Sequence, residues 1–231
     1  ELQLTLTEMY NEFGLNSMVR VKRATLHFGM QNWDKVLPDC ERVLKDTTLP
    51  KSSYEIGTAK ALLQEAKVSI AKRHLKAGKI DEAVNVGLEV YENNPNDLTA
   101  VKSYAGILLG VQRADEAVAI LESFTPTPDQ MFDYQAIYAA ANFEAKRFEP
   151  ALNTYKVLIE MRPELTEFQY SLATCYRKLK RWNEAKALYT GLKNQFPSDG
   201  EPWKQMGLME YERENFDQAV EELNTAINKF Q

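Results

Sequence analysis

The stretch Leu172-Ala173-Thr174-Cys175-Tyr176, followed by Trp182, Ala185, Tyr189 and Pro197, decides the fold of this chain. Large, small and aromatic residues recur in it at helical spacing, and a proline closes it. Ala173 is one rung of a ladder: Ala71, Ala105, Ala139, Ala173 and Gly207 stand 34 residues apart. A second ladder, Ala83, Ala117, Ala151, Ala185 and Ala219, runs in phase, each member 12 residues after its partner. Two small residues per period mean two helices per period that cross closely, because a bulky side chain at such a crossing would overpack by roughly 1–3 kcal/mol. A step of 34 is the period of a helical array.

The repeat before the decisive stretch copies it with Tyr138-Ala139, Phe148, Ala151, Tyr155 and Pro163. The last repeat carries Trp203, Met206-Gly207, Phe216, Ala219 and Ala226, and the one at 64–97 carries Ile70-Ala71, Ala83 and Pro95. The repeat at 98–131 is weaker, with Tyr104-Ala105, Ala117 and Leu121. Counting back past an insertion, Ala24 and Val36, with Trp33 between them, mark a degenerate first repeat. These residues resemble the tetratricopeptide repeat (TPR) family, and the resemblance covers residues 17–231. It implies an all-α fold, a right-handed superhelix of antiparallel helix pairs forming a TPR-type helical solenoid. The repeats would be 17–50, 64–97, 98–131, 132–165, 166–199 and 200–231. Residues 51–63 would be an insertion and 1–16 a separate N-terminal helix, with Thr5-x-x-Glu8 as its capping box and Leu6, Met9, Tyr10 and Phe13 on one face.

From Ala24 to Ala71 the spacing is 47, one period plus 13 residues. Ser52-x-x-Glu55 resembles a helix start, and Ala59, Leu63, Ala66, Ile70 and His74 continue one face, so the extra residues predict a lengthened helix over 53–77. It would be ~37 Å long at ~1.5 Å per residue. A disordered loop is the competing reading. The insertion is expected to form a shelf around Tyr54, Ile56 and Ala59, and its deletion is expected to spare the fold. Pro38 falls inside the second helix of the first repeat, where it either delays the start of that helix or kinks it.

The composition, 44% hydrophobic and 26% charged, is that of an ordinary globular protein. No apolar run approaches the ~20 residues needed to cross a membrane, so direct membrane insertion is not expected. A net charge of −5 and a pI near 5.3 argue against a general nucleic-acid binder. The start at Glu1 would be left equally by a removed signal peptide or a removed upstream domain. The location is therefore read as cytoplasmic, with the periplasm left open.

Cys40 and Cys175 stand in packing columns and read as buried small hydrophobes. His27 and His74 share the column that holds Tyr176, three residues after the small ladder, and so replace an aromatic packing residue rather than a zinc ligand. There is no glycine-rich phosphate loop and no Gly-x-Ser-x-Gly elbow. The reading is that the chain is not an enzyme and holds no cofactor or metal.

The resemblance places the functional surface on the concave groove lined by the first helix of each repeat. Residues three before, one after and four after the small ladder share one helical face. Of the eighteen residues at these positions none is acidic and four are basic, a stripe of +4 that leaves −9 for the rest of the chain. The adjacent columns, with Glu65, Asp133, Glu167, Glu201, Glu144 and Glu212 against Lys76 and Lys178, return the wider groove to about neutral.

Apolar and aromatic contacts are expected from Leu75, Phe143, Tyr170 and Tyr211, with Lys72, Lys102, Arg177 and Lys204 exposed to engage acidic side chains or a terminal carboxylate. The function is read as a protein-interaction scaffold, an adaptor that binds an extended or helical peptide segment of another protein. Within the family the heat-shock-chaperone clamp uses a fixed Lys and Asn set that this chain lacks, since Lys72 pairs with Val68 and the next repeats offer Ser103, Ala136 and Ile137. The alternative is a structural or oligomerising segment of a larger protein, acting through its ends. The last helix favours it, because Val220, Ile227 and Phe230 make an apolar face where the preceding repeat has Lys186 and Lys193, so a homodimer through that face is a candidate.

Overall fold

The computed structural model describes residues 16–229. The helix proposed before residue 16, and Phe230, lie outside the described residues. Among them are twelve α-helices and no strand. The helices are α1 Ser17–Gly29, α2 Trp33–Leu44, α3 Tyr54–Lys76, α4 Ile80–Asn93 and α5 Leu98–Gly110, then α6 Ala114–Glu122, α7 Met131–Glu144, α8 Phe148–Met161, α9 Thr166–Lys178, α10 Trp182–Gln195, α11 Glu201–Glu212 and α12 Phe216–Lys229. A 3₁₀ turn, Pro128–Gln130, leads into α7 under a Thr127/Gln130 capping box. The chain divides into two compact lobes between Val111 and Gln112, inside the weakest repeat.

Both ladders are buried. Ala24, Ala71, Ala105, Ala139 and Ala173 have no accessible surface, nor do Val36, Ala83, Ala117, Ala151 and Ala185 in the second row. The last repeat has a close crossing. A Cβ placed on Gly207 would lie 2.7 Å from Leu223 Cγ and 3.2 Å from the Ala219 carbonyl oxygen, so only glycine lets α11 sit this close to α12.

The turn joining the two helices of a repeat has a fixed backbone form. Gly78, Gln112, Lys146, Lys180 and Glu214 all take positive φ, from 58° to 72°, and stand 34 residues apart; Gln31 takes the same form 47 residues before Gly78. Only one of the six is glycine, although the left-handed region costs other residues roughly 1–2 kcal/mol. At five of the six the strain is offset by a Schellman-type bond. The N–H after the left-handed residue donates to the carbonyl five residues back, as Asn32 does to His27, Lys79 to His74, Arg147 to Asn142, Arg181 to Tyr176 and Asn215 to Glu210, at 2.8–2.9 Å.

The insertion is helical. α3 runs for 23 residues, about 35 Å at ~1.5 Å per residue, and its N-cap is Ser53, whose Oγ accepts from the Ile56 N–H at 3.3 Å. The expected start at Ser52 is therefore one residue early. The expected shelf is corrected more substantially. Tyr54 is 69% exposed, but Ile56 and Ala59 are buried in a core with Val36, Cys40 and Val43 of α2, so the insertion extends the N-terminal lobe's core rather than lying beside it. Removing residues 51–63 would unpack that core. Pro38 is the sixth residue of α2, which therefore is not delayed to the proline; the ring removes one hydrogen bond inside the helix.

Candidate functional site

The first helices of the C-terminal lobe present the predicted face. Phe143 ends α7 half-buried, its ring edge-to-face with Phe148 at 5.5 Å, and Tyr211 ends α11 in the same relation to Phe216 at 5.7 Å. Tyr211 is exposed. Tyr170, in α9, is half-buried, and its hydroxyl donates to Asp199 Oδ2 at 2.8 Å. Burial and this bond to a carboxylate push the Tyr170 phenol well above its ordinary pKa. Asp199 also accepts from the Glu201 N–H at 2.9 Å, which ties Tyr170 to the start of α11.

Phe143 and Tyr170 meet Tyr155 of α8, with Ser171 and Thr174 of α9, around a cavity of about 210 Å³. It is smaller than the ~300 Å³ of a typical small-molecule pocket and is sized for a single side chain. Its polar atoms are spent inside the protein. Ser171 Oγ donates to the Glu167 carbonyl at 3.0 Å, and Thr174 Oγ1 donates to the Tyr170 carbonyl at 2.8 Å while lying 3.2 Å from the Tyr189 hydroxyl. Burial pushes the Tyr155 phenol up to about 12, against the opposing effect of its hydrogen bond with Ser171. Ser171 lies outside the predicted face, and Tyr155 reads in sequence as a packing residue; their place here follows from α8 packing beneath α9.

Two of the four predicted cations in the stripe belong to this lobe, and neither stands free. Arg177, expected to be exposed, is 7% exposed; its Nη1 is ion-paired with Glu212 of α11. Lys178 approaches the same carboxylate at 3.8 Å. Lys204 is half-buried and pairs with Glu201 at 2.7 Å, one turn back on α11. The expectation that Arg177 reaches out to a ligand is therefore corrected: a guanidinium one period plus one residue before a glutamate is neutralised by it.

In the N-terminal lobe Lys72 is exposed, with no ion pair among the described residues, and Leu75 and Lys102 are half-buried. This lobe also carries a cleft of about 580 Å³ beside α1 and α2, into which Arg20, Arg23, His27 and Lys35 face. Three of its lining residues form a salt bridge: buried Asp39 accepts from Arg23 Nε at 2.6 Å and from Arg20 Nη1 at 3.5 Å. His27 is half-buried, and burial, then Lys35 and Arg23, lower its pKa against the opposing Asp39. Among the described residues no group of histidine, cysteine and carboxylate side chains could hold a metal. Cys40 and Cys175 are buried, and burial above all pushes both thiols up to about 12, which leaves them unreactive. On the last helix Val220 is 59% and Ile227 57% exposed. No helix among the described residues is long and apolar enough to cross a membrane.

Residues 142–207 match the tetratricopeptide repeat family model. No curated protein matches the chain by sequence. Among solved structures, MamA residues 41 to the end from Desulfovibrio magneticus RS-1 superposes with a TM-score of 0.59 at 16% identity, covering 72% of this chain and 94% of its own. Another MamA crystal structure gives 0.55 at 18% identity, with 69% and 94% covered. A tetratricopeptide repeat protein from Parabacteroides merdae ATCC 43184 gives 0.55 at 12% identity, with 97% of this chain and 84% of that one covered. At these identities the likeness is one of fold. Residues 142–207 thus match the tetratricopeptide repeat, and the all-helical fold of the described residues is similar to that of a solved tetratricopeptide repeat protein.

Proposed function

We propose that the chain is a non-enzymatic adaptor that binds an extended or helical segment of another protein on the faces of its first helices. The observation that carries this reading is the side-chain-sized cavity walled by Phe143, Tyr155 and Tyr170. A rigid, mostly aromatic recess anchors one residue of a peptide at low entropic cost, and neighbouring polar groups set orientation. Leu75, Lys72 and Lys102 supply a second contact region in the N-terminal lobe, where the exposed ammonium of Lys72 meets an acidic side chain. The test is selection of extended peptides from a randomised library, followed by fluorescence anisotropy with wild type and Phe143→Ser. A selected peptide that loses at least about tenfold in affinity on this substitution supports the reading. Peptides that bind both proteins equally well are seated elsewhere and oppose it.

The exposure of Val220 and Ile227 favours a second reading, in which the chain is a structural or oligomerising segment acting through α12. Light scattering separates the two. A monomer that takes up peptide is an adaptor, whereas a tight dimer indifferent to peptide, made monomeric by Val220→Lys with Ile227→Lys, is an oligomerisation segment.

A further inference from the structure

The charge around the aromatic cavity runs opposite to the basic stripe of the sequence. Three carboxylates flank its lining residues: Glu144 follows Phe143 and acts on the Tyr155 phenol, Glu167 lies one turn before Ser171, and Asp199 accepts the Tyr170 hydroxyl. Glu144 and Glu167 are exposed. Three cations of the same lobe are already engaged. Arg177 is held by Glu212, Lys204 by Glu201, and Lys156 sits 5.8 Å from the centre of the Tyr176 ring. The same lobe seats its own cations on ring faces, Arg162 over Phe132 and Arg181 over Tyr176, each at 4.7 Å. The rings of Phe143, Tyr155 and Tyr170 carry no such cation among the described residues.

We propose that this cavity is an aromatic cage for a cationic side chain, a lysine, its methylated forms or an arginine, on the segment the face binds. The inference rests on the adaptor reading and adds the chemistry of the anchor residue. Ring faces attract a cation through their quadrupole, most strongly when it is partly desolvated. Tyr170, Ser171 and Thr174 donate their hydroxyl protons within the protein, so these are not offered to an anionic anchor, and the nearby carboxylates supply long-range attraction for a cation. An acidic anchor would approach lining residues flanked by Glu144, Glu167 and Asp199, a like-charge arrangement that selects against it.

The experiment uses one selected peptide synthesised with trimethyl-lysine, lysine, norleucine or glutamate at its anchor position, plus the neutral tert-butyl isostere of trimethyl-lysine, each titrated against the whole chain. The expected order is trimethyl-lysine, then lysine, then norleucine, with glutamate at least about tenfold weaker than lysine. Trimethyl-lysine should exceed its neutral isostere several-fold in wild type, and Phe143→Leu should erase that difference while leaving the helical circular dichroism unchanged. If norleucine and the isostere bind as tightly as their charged counterparts, the cage is overturned and the adaptor reading stands. If no member of the series binds, both fall.

Discussion

Lys72 in the N-terminal lobe and Arg177 in the C-terminal lobe stand in adjacent rows of the same predicted stripe, yet they end in opposite states. Lys72 is exposed without an ion pair among the described residues, while Arg177 is buried and held by Glu212. The difference lies in the neighbouring repeat, because a period of 34 sets residue 177 beside residue 212 on the next first helix. A cation in a repeat protein is available for binding only if the following repeat does not supply a carboxylate at that step. One turn of the N-terminal lobe also differs from the rest, including its own turn at Gln31. The turn into α4 uses Gly78, whereas those into α8 and α10 use Lys146 and Lys180 in the same left-handed form.

The largest expected effect sharpens this contrast through packing. Gly207→Leu should cost about 3 kcal/mol in a urea melt, the upper end for overpacking, since its first added carbon already meets Leu223 and the Ala219 backbone. Gly106 of α5 is exposed, with open space where a Cβ would stand, and Gly106→Ala should be neutral or stabilise by up to about 1 kcal/mol. Equal costs at the two sites would mean that the crossings are misplaced.

Next comes the ion pair. Glu212→Ala leaves the Arg177 guanidinium buried with its main partner gone and should cost about 2 kcal/mol, less than the ~3–5 kcal/mol of a fully buried pair because Glu212 is partly exposed. Lys72→Ala should change stability by no more than about 0.5 kcal/mol. The turns give a smaller effect of opposite sign in the two lobes. Gly78→Ala should destabilise by about 1 kcal/mol, and Lys180→Gly should stabilise by about 0.5 kcal/mol, as relief of backbone strain outweighs the added freedom of the unfolded chain.

The smallest effect is on pH dependence. His27 occupies the column in which the C-terminal lobe places Tyr176, and its folded-state pKa lies below the ordinary 6.5. Below that value the unfolded chain binds the proton more readily than the folded one, so stability contributed by neutral His27 is present above pH ~6.5 and lost as the pH falls through the lowered folded value. His27→Phe should therefore flatten the decline in denaturation midpoint between about pH 7 and pH 5.5. An unchanged slope would show that His27 does not titrate differently in the fold.

The crossings were legible in the sequence because small residues at helix contacts leave a periodic trace, and every rung of both ladders from Ala71 to Ala185 is buried. The lengthened helix was legible because its apolar face runs unbroken into Ala71. The shelf was not. Ile56 and Ala59 look alike in sequence whether they face solvent or the Val36–Val43 side of α2, and only the packed helix decides. The left-handed turns were hidden because five of the six positions lack glycine, their strain being met at four of these by backbone bonds that carry no side-chain signature. The aromatic part of the candidate site was half legible: Phe143 and Tyr170 show the helical face, but Tyr155 and Ser171 join it through the contact between α8 and α9.

The most direct test of the account is a chemical-shift footprint of a selected peptide on the isotopically labelled chain. The account predicts that the largest perturbations fall on Phe143, Tyr155, Tyr170, Ser171 and Thr174, with Lys186 and Thr190 on the outer side of α10 unmoved. Perturbations centred on α10 or on Val220 and Ile227 of α12, with the aromatic cavity silent, would contradict it.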